Sequence, residues 1–312
     1  MLFTLCEKTI ENMYKKTSDK ISTKVLLKKN KLKKSFYSKK DKGFLNKNYK
    51  QLMYPWLIIA GVMIILPIII IVFYSFYDDG SGNILKLTFN NYATFFSNFN
   101  LTQVLLTSFF IGIFATFFSL LFGFPIAMFL SNVSKKHSKL ALVLLVTTPI
   151  WITMLIRIIS MQLFLEALAP SLLGTYFAVI IGMTYTYIPF MILPLYISLE
   201  NRDKTLEQAS KDLGASEFTT LIKVVIPNTK SSIYSGSLMV LLPSMTSITV
   251  TRYMSNGSIN NIGNILENLF VTSSNYTYGA AVAVITSLFM ILILIGLKYI
   301  TGQKNIKGGI NE

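Results

Sequence analysis

Long apolar runs, each about the length of a membrane span, alternate along this chain with short polar connections. A helix needs about 20 mostly apolar residues to cross the hydrocarbon of a bilayer. Windows of that kind occur at residues 54–77, 103–130, 140–162, 175–199, 232–253 and 278–300. Hydrocarbon offers no water to backbone N–H and C=O groups, so each window is predicted to be a helix closing its own hydrogen bonds. The pattern predicts an all-α, polytopic membrane protein with six transmembrane helices. Pro67, Pro125, Pro189 and Pro194 fall inside the windows, where prolines are expected to kink helices. The connections at 78–102 and 254–277 are rich in Asn, Ser, Thr and aromatic residues. Asp78-Asp79-Gly80-Ser81-Gly82 reads as a surface turn. Phe89, Tyr92, Phe95, Phe96 and Phe99 read as a short helix or an aromatic belt at the membrane surface.

Charge gives this pattern a direction. The chain carries 29 Lys and Arg against 14 Asp and Glu, and residues 1–52 alone hold 15 Lys and 4 acids. With 52% apolar and only 14% charged residues, against about 25% charged in soluble domains, a pair of soluble domains is excluded. If the N-terminus is inside, the inner segments 1–52, 131–139, 200–231 and the C-terminal end from Lys298 hold 26 of the 29 basic residues. The expected organisation is a basic cytoplasmic tail (1–52), a six-span domain (53–300) and a cytoplasmic C-terminal tail (301–312) in the plasma membrane. The start Met-Leu-Phe-Thr-Leu-Cys meets Glu7 and Lys8 before a signal-peptide core develops, so the first span reads as a retained anchor. The tail is either attracted to anionic lipid or a disordered, positive-inside anchor. Tyr14, Phe36 and Tyr37 have no domain around them, and nucleic acid is not an expected partner. The single cysteine, Cys6, and single histidine, His137, argue against a disulfide, a metal site, a thiol nucleophile and a histidine base. No His/Asp/Glu/Cys cluster lies inside the spans, which argues against an intramembrane enzyme.

One hydrophilic island, residues 200–231, interrupts the apolar runs with an ordered pattern of its own. Residues 205–213 are predicted to form a short helix with Leu206, Ala209 and Leu213 on one side. Gly214 should end it in the left-handed conformation. Ser216 is a predicted N-cap, followed by Glu217 at the positive end of the helix dipole. Phe218, Leu221, Ile222 and Val225 then recur at i, i+3, i+4, i+7, which predicts one apolar stripe. Pro227 is expected to stop the helix and hold Ile226 out of helical geometry.

The run Gln208-Ala209-Ser210, Gly214, and Val224-Val225-Ile226-Pro227 resembles the signature loop of binding-protein-dependent ABC importer permeases. The family form is Glu-Ala-Ala, three residues, Gly, nine residues, then Ile-x-Leu-Pro, and Pro227 follows Gly214 by the family's thirteen positions. Gln208, Ser210 and Val224 depart from the family's usual Glu, Ala and Ile, and Glu207 stands one place early. Pro149-Ile150-Trp151 with Leu155-Ile156-Arg157, the run Tyr187 to Tyr196, Asn261 to Ile265 and Tyr278-Gly279-Ala280-Ala281 resemble the polyamine members of that family over residues 53–300. The resemblance implies a MetI-like fold and a type I importer. It implies that residues 208, 209, 210, 214, 218, 221, 222, 225 and 227 form the loop that couples to an ATPase. It further implies a second permease subunit, two ATP-binding subunits holding ATP and Mg with no cofactor in this chain, and an extracellular substrate-binding protein or lipoprotein. The solute implied is spermidine or putrescine.

A polycation path should be polar without fixed counter-charge. Ser244, Thr246, Ser247, Thr249 and Thr251 follow one another in the fifth window, and Tyr185 and Tyr187 offer cation–π surfaces. The same hydroxyls also suit helix–helix contacts. Arg157 carries a costly intramembrane charge, and its expected place near the outer end would let it snorkel to water. Three alternatives stay open: a sulfate-type or iron-type permease of the same superfamily, an ion-coupled secondary transporter, and, least consistent with the residues, an enzyme.

Overall fold

The computed structural model describes residues 45–77, 87–134 and 136–300. The expected basic tail as far as residue 44, the turn at Asp78 to Gly82, Lys86 and the tail 301–312 lie outside the described residues. The chain divides at Ile69/Ile70 into two compact units. Helix α1, Leu45–Ser75, begins within the stretch expected as tail and is apolar on every side from Tyr54 on, as a helix surrounded by lipid is.

The second unit is built around three helices that pack on one another: α3 (Phe99–Asn132), α6 (Tyr176–Glu200) and α10 (Lys230–Thr246). Between α1 and α3 lies the short helix α2, Asn90–Ser97, as the aromatic cluster predicted. Asn91 donates to the Tyr77 carbonyl (3.1 Å), tying α2 to the end of the first span. Phe95 is fully buried, while Phe89 and Phe96 face outward.

Lipid tails are as apolar as leucine, so helices in a membrane associate by close van der Waals packing at small residues. Helix α3 shows this device. Ser108, Gly112, Ala115, Ser119, Gly123 and Ala127 recur every three or four residues along its buried face. Methionines fill the notches at glycines on all three central helices, α3, α6 and α10. A Cβ at Gly112 would lie 2.8 Å from Met245 Cγ, one at Gly236 2.7 Å from Met191 Sδ, and one at Gly182 2.6 Å from Met254 Cγ. All three methionines are fully buried.

Two predicted spans are broken. Helices α4 (Lys136–Trp151) and α5 (Met154–Leu168) meet at 96°, and α10 meets α11 (Ile248–Met254) at 63°. Each first member carries a proline in its closing turns, Pro149 or Pro243. Proline withholds an N–H and crowds the carbonyl four residues back, so those turns are weak points. Among the described residues there are therefore four uninterrupted helices long and apolar enough to span a membrane, or six spans when each bent pair counts as one. The backbone freed at the second break is satisfied elsewhere: the buried Asn261 donates to the Ser247 carbonyl and to Thr251 Oγ1, both at 2.9 Å. Asn261 also caps helix α12, Ile262–Glu267, through Asn264 N–H (3.0 Å). After a π-turn at Asn268–Thr272 the chain enters the last span, α13 (Tyr276–Ile300).

The short helices between α6 and α10 are α7 (Lys204–Asp212), α8 (Glu217–Thr220) and α9 (Ile226–Asn228). They form the hydrophilic island.

Candidate functional site

The island folds as a bent pair of helices for local reasons that can be traced residue by residue. Asp203 caps α7, its carboxylate accepting Thr205 N–H (2.9 Å) and Thr205 Oγ1–H (2.8 Å). Those bonds hold the Asp203 carboxyl below the usual carboxylate range, so the cap is charged at neutral pH. Gly214 ends α7 with φ +81°, its N–H reaching the Lys211 carbonyl (2.9 Å) while Ala215 N–H reaches Ser210 (3.1 Å). Ser216 caps α8 through Thr219 N–H (3.2 Å), as its place before Glu217 predicted. Lys211 pairs with Glu217 across the bend (3.1 Å), and the Ser210 and Thr220 hydroxyls meet at 3.0 Å.

Two expectations fail at the following turn. Pro227 does not stop the helix, and Ile226 is helical (φ −58°, ψ −47°). A π-turn at Leu221–Val225 inserts an extra residue, so Pro227 falls in the first turn of α9, where its missing N–H would go unused. The chain leaves helical geometry only at Thr229. The predicted single stripe also divides in two. Val225 is buried and Leu221 packs on the core of the bundle, whereas Phe218 and Ile222 face outward.

The outward face is consequently apolar at a hydrophilic end of the molecule. Leu213 is 89% exposed and Phe218 71%, with Leu206 and Ile222 about half exposed. Gln208 and Ala209 share the exposed surface, Ser210 is half-buried, and Pro227 is exposed.

Sequence reasoning missed the residue that ties this elbow down. Arg202 lies at the end of α6 with its side chain 7% exposed. Its Nη1 donates to the Leu199 carbonyl and to Ser131 Oγ, both at 2.7 Å, and its Nη2 to Asn132 Oδ1 at 2.9 Å. Its Nε forms an ion pair with Glu207. A cation just past a helix C-terminus was the one local signal available; Ser131 and Asn132 stand about seventy positions away. Beside it Lys139 pairs with Glu200. Arg202 and Glu207 themselves line a cavity of about 610 Å³, which Ser198 of α6, Leu206 of α7, and Ser232 and Ser235 of α10 also border.

The candidate path residues do not converge as a set. Tyr187 is 8% exposed and sits beside Ser247 and Arg157, while Tyr185, two residues earlier, is 43% exposed on another face. Ser244 is buried and turns its hydroxyl back to the Val240 carbonyl (2.6 Å). Thr246 does the same toward Leu242 (3.2 Å), and Thr249 is half-buried. Arg157 does not snorkel. It is 7% exposed, and its Nη1 donates to the Thr186 carbonyl (3.2 Å) in the middle of α6, three residues before Pro189. Among the described residues its Nε has no hydrogen-bond partner and no carboxylate forms an ion pair with it. Burying an uncompensated charge costs several kcal/mol, more than the roughly 1.5–3 kcal/mol of one charged hydrogen bond. Arg157→Met is therefore expected to leave the melting temperature of the purified protein unchanged or raised while uptake falls. A melting temperature several degrees lower would mark Arg157 as a structural brace instead.

Comparison with known proteins fits this architecture. Residues 93–303 match the family described as binding-protein-dependent transport system inner membrane component. The spermidine/putrescine transport system permease protein PotB of Haemophilus influenzae is 33% identical over 260 residues, covering 78% of this chain and 89% of that protein. Among solved structures, a bacterial ABC transporter importing the acidic polysaccharide alginate superposes with a TM-score of 0.59 at 15% identity, over 84% of this chain and 98% of that one. The MetNI methionine ABC transporter, in inward-facing conformations, superposes with a TM-score of 0.54 at 17% identity, over 64% and 94%. The fold is thus shared over most of the chain, and the chain belongs to the binding-protein-dependent transport system inner membrane components, as a multi-pass ABC-importer permease of MetI-like fold.

Proposed function

We propose that this chain is one permease half of a type I importer for polyamines, spermidine or putrescine. In this reading a second permease subunit completes the path, and an extracellular substrate-binding protein or lipoprotein delivers the solute. Two ATP-binding subunits, which hold ATP and Mg, grip the elbow around Gly214 on the cytoplasmic side, where both termini also lie. The observation that carries the reading is the exposed apolar face of Leu213, Phe218 and Ile222, set on an elbow whose other face is anchored to the bundle. Large apolar side chains in the aqueous phase suit a protein partner. Closure of the ATPase pair would then rock the spans as rigid bodies between inward and outward states. The polyamine assignment is supported by the similarity to PotB over most of the chain.

The test is reconstitution of the full complex in proteoliposomes with the cognate binding protein. ATP hydrolysis stimulated by spermidine-loaded binding protein, with uptake of labelled spermidine, is the expected result. Stimulation by another solute would keep the importer and remove the polyamine. Uptake that survives a block of ATP hydrolysis but collapses with the ion gradient would remove the importer.

A further inference from the structure

We propose that Arg202 is a positioning residue for transport, the latch through which displacement of α7 is passed to the end of α3. The inference rests on the reading of the elbow as the ATPase-coupling element. Helix α7 has no buried residue of its own, so packing alone does not bind it to the bundle. Its charged tie runs through Glu207 to Arg202, and from there the same guanidinium reaches Leu199 on α6 and both Ser131 and Asn132 at the end of α3. Arginine is suited to this because its planar fork offers several donors in fixed directions. The two side chains of the pair are only 7% and 18% exposed, so water screens the attraction weakly.

A cavity of about 610 Å³ lies beside α7, lined by Leu206 and Glu207, by Arg202 itself, by Ser198 of α6, and by Ser232 and Ser235 at the start of the fifth span. Helix α7 is thus fastened to α3 and α6 through one guanidinium, with open space beside that tie. A push on the exposed elbow swings α7 across that cavity, and the guanidinium carries the Ser131 end of α3 with it. Helix α3 packs against both α6 and α10, so a displacement there is felt by all three central spans. The same arrangement accounts for Glu207. This acid is turned inward to Arg202, which leaves the neutral Gln208 beside it on the exposed surface of α7.

The experiment compares wild type, Arg202→Met, Arg202→Lys and Glu207→Gln in the assembled transporter in proteoliposomes. It measures copurification of the ATP-binding subunit and substrate moved per ATP hydrolysed. For Arg202→Met, copurification is expected to persist while substrate per ATP falls about tenfold, within the range of coupling between distant sites. Arg202→Lys, which keeps the pair with Glu207 but lacks the fork, should recover part of that loss. Wild-type substrate per ATP in Arg202→Met overturns the proposal. So does a fall in copurification with no change in substrate per ATP, which marks a purely structural role. If Arg202→Met does not accumulate, Arg202→Lys and Glu207→Gln carry the same two readings. A wild-type chain that never copurifies an ATP-binding subunit overturns the importer reading instead.

Discussion

Phe218→Asp is expected to separate ATP hydrolysis from transport while leaving the permease folded in the membrane. The ring is 71% exposed and packs into no core cluster, so its loss removes little from the fold. The new carboxylate would stand in the first turn of α8, where the unpaired N–H groups favour negative charge. Local structure should therefore survive. The proposed docking face loses its one aromatic anchor and gains a charge to be desolvated. Aromatic anchors at interface centres contribute about 2–4 kcal/mol or more, so affinity for the ATP-binding subunit should fall about 30-fold to 1,000-fold. Copurification from detergent and uptake by whole cells would both register a loss of that size. Unchanged copurification would place the ATPase contact elsewhere on the chain.

Gly263→Ala is expected to prevent accumulation of folded protein. A Cβ there would sit 2.1 Å from the Thr246 carbonyl oxygen and 2.9 Å from its carbon, and backbone atoms cannot step aside as a side chain does. The contrast is Gly182, where the obstructing atoms at 2.6 and 3.0 Å belong to the flexible Met254 side chain. Position 263 lies beside the knot that closes the broken fifth span, where Ile262 N–H meets Ser108 Oγ (2.9 Å) and Asn261 holds the Ser247 carbonyl. Forcing the two backbones apart would strip both hydrogen bonds from buried groups, beyond the usual overpacking cost of about 1–3 kcal/mol. Size-exclusion profiles of a fluorescent fusion should show loss of the monodisperse peak for Gly263→Ala and its retention for Gly182→Ala. A normal peak for Gly263→Ala would mean that α12 can dock in a second way.

What the sequence disclosed and what it withheld divide along a physical line. Apolar windows announced the uninterrupted spans because lipid imposes the same demand on every residue of a window. Gly214 and Ser216 were legible because left-handed termination and N-capping are decided within a few residues. Pro227 was misjudged because its cost depends on the turn before it, and the π-turn at Leu221–Val225 removes that cost. The same extra residue, seated against the bundle, splits the stripe that period alone made continuous. The breaks at Ile152 and Ser247 follow prolines, but a proline in a span is equally compatible with a mild kink. Asn261, far along the chain, is what makes the second break tenable. Arg202 escaped notice because two of its partners, Ser131 and Asn132, belong to another span, and Arg157 was placed too near the surface because its depth is set by a bend that composition cannot reveal.

The methionines seated in glycine notches give the bundle a chemical record of its own opening. Oxidation of a thioether adds a polar oxygen, and the sulfur of Met191, wedged against Gly236, has no space for one while the helices stay closed. Peroxide reaches such a sulfur only in molecules whose helices have parted. Once formed, the bulkier and polar sulfoxide no longer matches the glycine notch that the thioether fills.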